Sequence, residues 1–136
     1  MKTTKPQPVN RKQVEQFLAS AQNKSVAARK NLTIDAEADY QIAYEAMLNG
    51  SLALMLSHGS RPRVQLGHRR AIIEFSQQHL DPALAPTFAL FDRMRRKRND
   101  AFDDIAVITL REAEEAVATA ENYLPLIAND IAARLK

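Results

Sequence analysis

Residues 82–104 read PALAPTFALFDRMRRKRNDAFDD, and this stretch carries its own helix punctuation. Asp81 ahead of Pro82 puts an N-cap carboxylate before a proline at the first helical position, where the missing N–H costs no hydrogen bond. At 100° per residue, Leu84, Phe88, Phe91, Arg95, Arg98 and Phe102 fall within about 40° of one line. Arg93, Arg96, Lys97, Asp100 and Asp104 fall on the opposite side. An amphipathic helix from Pro82 to about Asp104 is therefore predicted, and its neighbours follow the same rules. Asn10 with Gln13 has the form of a capping box opening a helix that runs to about Lys30. A longer helix is expected from about Thr33 to Ser57, stopped by Gly59 and Pro62. His68 to Leu80 forms a third, with Ile72, Ile73 and Phe75 as its apolar contacts. Thr109 and Glu112 make another capping box, so a fifth helix extends toward Lys136, with a kink expected at Pro125.

Between these helices, residues 59–67 (GSRPRVQLG) read as a loop. No segment alternates with period two over a useful length; Ile105 to Ile108 is too short. Short connections between amphipathic helices define an all-α, up-and-down antiparallel bundle of about five helices. Residues 10–136 are read as one domain, and residues 1–9, with lysines and prolines but no apolar run, as a disordered tail rather than a signal.

Composition fits that reading. The chain has 136 residues, 46% hydrophobic and 26% charged, enough to bury about two-thirds of its unfolded surface without covalent staples. There is no cysteine, which excludes disulfides, thiolate metal sites and cysteine nucleophiles, and is compatible with the cytoplasmic location expected here. No stretch approaches the roughly 18 unbroken apolar residues of a membrane span. Three scattered histidines lack metal-ligand spacing, so neither a metal nor a cofactor is expected. His58 and His79 are read as helix-end residues, and Tyr40, Tyr44 and Tyr123 as packing residues with wet hydroxyls. Glycine-rich phosphate loops, nucleophile elbows and paired-carboxylate signatures are absent from the sequence.

The net charge of +3 matters less than its distribution. Arg93 to Arg98 packs five cations into six residues, and residues 61–70 hold four arginines. Such patches point to an anionic partner. The helical arithmetic divides the first patch in two. Arg93, Arg96 and Lys97 take the outer, solvated side, whereas Arg95 and Arg98 stand where the pattern calls for leucine or phenylalanine, with Asn99 at the edge. Burying unpaired charge costs several kcal/mol, so these two arginines need compensation. One source is an internal carboxylate: in the second helix Ile34, Ala38, Gln41, Glu45, Leu48 and Leu52 share a line, which puts Glu45 on an inner face, although the apolar girdle of residues 52–56 leaves the facing side open. The other is an anion such as a phosphate, met in a cleft or at a subunit interface.

On FDRMRRKRNDAFDD (Phe91 to Asp104), supported by AYEAMLNGSLALMLSHG in the second helix and HRRAIIEF opening the third, the chain resembles the HEPN superfamily (higher eukaryotes and prokaryotes nucleotide-binding). The resemblance covers the chain after its tail. Many such proteins are metal-independent endoribonucleases of toxin–antitoxin or defence type, whose site forms where two helices meet in a dimer. Their motif runs from an arginine and a polar residue to a histidine. Arg98 and Asn99 match its opening, but Phe102, Asp103, Asp104 and Ile105 occupy the window of the histidine. In the family the arginine holds the scissile phosphate and the histidine assists proton transfer, so this chain keeps the anion-binding half and lacks the acid–base half. Arg61 or Arg63 with His68 has the motif's spacing, but Pro62 and Gly67 mark a loop.

The resemblance thus implies an RNA- or nucleotide-binding protein, with a homodimer expected, that binds through Arg95, Arg98 and Asn99, with Glu45 and Asp103 as supporting residues. Ribonuclease activity is not implied without the histidine. The alternative expectation is a non-enzymatic regulatory subunit, antitoxin-like or the partner of a small nucleotidyltransferase.

Overall fold

The computed structural model describes residues 4–32, 34–63, 68–100 and 108–135. Five helices build an all-α bundle: α1 (Arg11–Lys30), α2 (Ala36–Ser57), α3 (His68–His79), α4 (Ala85–Asp100) and α5 (Leu110–Arg134). None of the described helices is long and apolar enough to cross a membrane.

The helix ends follow from side-chain chemistry. Asn10 accepts from the Gln13 N–H at 3.1 Å. The reciprocal half of the expected capping box is missing, because the Gln13 side chain is engaged by the Gln7 amide at 3.2 Å. Asp35 caps α2 by accepting from the Ala38 N–H at 3.1 Å, so that helix starts later than Thr33, a residue outside those described. Asp81 accepts from the Ala83 N–H, and the first turn after it, Pro82–Leu84, is a 3-10 turn before Ala85 and Pro86 begin α4. At α5 the full capping box forms: Thr109 Oγ1 accepts from the Glu112 N–H at 3.1 Å, and Glu112 accepts from the Thr109 N–H at 3.2 Å. This helix continues through Pro125.

The expectations of a disordered tail and a 59–67 loop need correction at residues 4–6 and 60–62. Thr4–Pro6 (β1) pairs antiparallel with Ser60–Pro62 (β2), Lys5 opposite Arg61, and the Gln7 N–H donates to the Gly59 carbonyl at 2.8 Å. Gly59 makes this return geometry available with φ +75°, a left-handed conformation that costs glycine little. Three-residue strands are too short to leave an alternating signature in sequence.

Helix α2 is the central element, with 14 of its 22 residues buried, and it packs against all four other helices. That resolves its all-round apolar middle: a helix without a polar face is one surrounded by protein. The core runs from Val14 and Ala21 of α1, through Met47, Leu54 and Met55, to Val117, Leu124 and Ile127 of α5. An aromatic group joins α4 to it. Phe91 meets Tyr44 edge-on at 5.9 Å and Tyr123 at 5.9 Å, and Phe88 meets Tyr123 at 5.8 Å. The Tyr123 hydroxyl is paired with Ser51 Oγ at 2.6 Å, so it is not wet as expected but satisfied inside the core.

One buried group is poorly accommodated. Asp39 in α2 is fully buried, and among the described residues neither carboxylate oxygen has a hydrogen-bond partner. Burial, reinforced by the charge of Asp35, pushes this carboxyl above its ordinary range. The folded chain therefore holds the Asp39 proton more tightly than the unfolded chain does, and stability falls as pH rises above the ordinary carboxylate pKa of about 3.9. Asp39→Asn cannot ionise and is expected to be more stable near neutral pH by on the order of 1 kcal/mol. Its advantage should vanish toward pH 3. Thermal unfolding at both pH values checks this, and a variant weaker than the parent at pH 7 would contradict it.

Candidate anion-binding site

The buried face of α4 consists of Phe88, Leu90, Phe91 and Met94. Beyond Met94 the face reaches the end of the packed core, and there it carries Arg95 and Arg98. Neither is fully buried: their side chains are 18% and 30% exposed.

The two heads do not converge on one carboxylate. Arg95 turns toward α3 and pairs with Asp92 at 2.9 Å. Arg98 turns toward α2, where its Nη2 stands 3.8 Å from Glu45 Oε1 and its Cζ 6.0 Å from the Tyr44 ring centroid. Glu45 is thus beside Arg98, but Lys24 of α1 shares it at 3.4 Å. The side chain of Asn99, and Asp103 altogether, lie outside the described residues.

The supposed outer cations are not all solvated. Lys97 is 32% exposed, much like Arg98, and is paired with Glu112 of α5. That contact, with the Thr109 cap, holds the Glu112 carboxyl below its ordinary range. Arg93 reaches Glu115 at 3.9 Å, and Arg96 joins Asp92 at 3.3 Å. The helical wheel failed for Lys97 because a wheel shows direction from the axis and not which neighbouring helix stands there. α5 covers part of the side that the sequence assigns to solvent.

Tyr44 gives the region its chemistry. It is 1% exposed, and among the described residues its hydroxyl has no hydrogen-bond partner, contrary to the expected wet hydroxyl. Burial pushes this phenol up to about 12, opposed by the charges of Arg69, Arg98 and Arg95. Asp92 adds to the effect of burial. Arg69, in the first turn of α3, belongs to the other basic patch. The slot beside Tyr44, lined also by Glu37, Tyr40, Met94, Lys97 and Arg98, has only about 10 Å³ of free space, about enough for one water.

Sequence reading missed Tyr44 and Arg69. The aromatic at position 44 fits a packed helix equally well, and no spacing in the sequence brings α3 to the end of α4.

His58 and His79 lie away from Tyr44. His58 caps α2, fourteen residues and therefore about 21 Å along the helix from Tyr44. His58 and His79 have ring centroids 4.7 Å apart. Burial first, then Arg134 and His79, lower the His58 imidazole to about 4, against the pull of Asp130, so it is neutral at neutral pH. His79 Nδ1 lies 2.8 Å from the Phe75 carbonyl oxygen, a helix-end contact. Arg61 lies in β2, not on a helix. Among the described residues, no group of three or more histidines, aspartates and glutamates could hold a metal ion. No protein-family model, curated protein or solved structure matches the chain.

Proposed function

We propose that this chain is a HEPN-like RNA- or nucleotide-binding protein that acts as a homodimer in the cytoplasm, in a toxin–antitoxin or defence setting. It binds phosphate at the α2–α3–α4 surface around Tyr44 and does not cleave. The observation that carries the reading is the partly exposed Arg98 guanidinium, its Cζ 6.0 Å from the buried Tyr44 ring, on a helix that packs five cations into six residues. Arginine suits this task because its planar fork offers paired donors to phosphate oxygens. The internal ion pairs do not neutralise the region, since Asp92 serves both Arg95 and Arg96 and Glu45 serves both Arg98 and Lys24.

Acid–base chemistry is poorly supplied here. Glu45 and Asp92 are engaged with cations, and the Tyr44 phenol holds its proton far above neutral pH. Stabilisation of charge without proton transfer is binding rather than catalysis.

The test is fluorescence anisotropy with a labelled single-stranded RNA. Arg69→Ala and Arg98→Ala are each expected to weaken binding about tenfold and to flatten its salt dependence, as each lost phosphate contact reduces counterion release. Variants that bind RNA as the parent does would overturn the site. RNA cleavage in EDTA that disappears in His68→Ala, the histidine beside Arg69, would overturn the non-cleaving reading. A second reading is favoured by the ion pairing of every cation from Arg93 to Arg98 within the chain: an antitoxin-like regulatory subunit, or the partner of a small nucleotidyltransferase. Stable co-purification with such an enzyme, without RNA affinity, would replace the first reading with this one.

A further inference from the structure

The middle of α1 and the second half of α5 are nearly free of charge in a chain with 26% charged residues. From residue 16 to residue 28 only Lys24 is charged, and it turns toward Glu45 of α2 at 3.4 Å. From residue 122 to residue 133 only Asp130 is charged, and Arg134 of the same helix engages it at 3.2 Å. What the two helices present instead is small or apolar. Val26 is 55% exposed and Leu126 42%, and Ala19 and Pro125 are exposed as well. Between Val26 and Pro125 lies a groove of about 440 Å³, lined also by the Gln22 and Asn129 side chains. Depletion of charge around exposed apolar side chains is the composition of an interface core.

Resting on the homodimer of the reading above, we infer that this face pairs two copies of the chain about a two-fold axis running along the α1–α5 seam. Charge favours a second copy as the occupant. Helix α1 carries five cations and one carboxylate, and α5 carries five carboxylates and two cations. Each helix therefore complements the other, and neither complements itself. The two helices lie level in the chain: Arg29 Nε donates to Glu121 at 3.0 Å at one end, and Arg11 donates to the Leu135 carbonyl at the other. A two-fold axis along the seam keeps those levels and exchanges the helices, laying α1 of each copy on α5 of the other. Val26 then comes onto Pro125 and Leu126 of the second copy, and Lys30 comes to its Glu121. No residue of α4 lines the groove. The contact thus differs from the meeting of arginine helices implied by the family resemblance, and it leaves Arg98 of both copies open.

Sedimentation equilibrium of the full chain tests this, and the lack of native cysteine permits a directed cross-link. The parent is expected to sediment as a dimer. Val26→Glu should raise the dissociation constant at least about tenfold, since each dimer would bury two carboxylates among apolar side chains. Leu126→Glu serves as a second variant should the first unfold, with each melting curve measured beside the parent. Val26→Cys copies mixed with Leu126→Cys copies should form a disulfide-linked dimer with copper phenanthroline as oxidant, and neither variant should do so alone. If the parent is a dimer and both folded glutamate variants keep its dissociation constant, this face is overturned while the homodimer reading stands. A cross-link formed by Val26→Cys alone and not by the mixture would overturn the exchange of helices. A monomeric parent overturns the face and the homodimer together and leaves this surface to a different protein.

Discussion

Phe91→Ala is expected to cost about 3–5 kcal/mol of folding stability, as deletion of a large ring from a packed interior does. Phe91 is 0% exposed and joins the aromatic group: Tyr44 and Tyr123 both present edges to it, and Phe88 lies 6.5 Å away at 24°. The surrounding rings belong to α2, α4 and α5, so no single element can move in to fill the hole. Domains of this size are stable by roughly 5–15 kcal/mol, so the loss consumes a large share of the total. Urea denaturation should show a lower midpoint with an unchanged slope. A loss below about 1 kcal/mol would mean that the aromatic group collapses around the cavity.

Gly50→Leu is expected to cost about 3 kcal/mol, the upper part of the range for overpacking a well-filled core. A Cβ at position 50 would stand 2.6 Å from Leu124 Cδ2, with Ala21 Cβ at 3.7 Å and Ile127 Cγ2 at 3.9 Å. These atoms come from α1 and α5, both pressed against α2 at this point. Glycine is present for the space: a mid-helix glycine costs roughly 1 kcal/mol relative to alanine, and here that loss allows three helices to approach closely. Alanine would regain propensity but must displace Leu124. Leucine has no such compromise. A melting temperature lower by about 10 °C is expected for a chain of this size, and an unchanged value would show that α5 can slide away from α2.

Helix ends were the most legible part of the sequence because their causes are local. The Thr109–Glu112 box and the Asp81–Pro82 start act within one turn, and each is found at the expected position. The central role of α2 was also written in residues 52–56, whose lack of a polar face excludes a surface helix, although which neighbours surround it is not encoded locally. The inward tendency of Arg95 and Arg98 could be read from periodicity. Glu45, read from the sequence as an internal carboxylate, does stand beside Arg98, whereas Arg95 pairs with Asp92 one turn back on its own helix, a local contact that the expectation of an inner carboxylate passed over. Lys97 shows the limit most clearly: the same wheel that separated it from Arg98 was blind to α5, whose Glu112 draws it to a comparable depth. The β1–β2 pairing lay below the length at which alternation carries information.

That pairing has an architectural effect beyond ordering a few residues. With Thr4 held against Pro62, the chain through α1 and α2 is buckled into a ring, its two ends fastened by backbone hydrogen bonds rather than by a covalent link. The route onward to α3 therefore departs from a moored point. The start of the chain thereby acts on β2, which α3 in turn contacts.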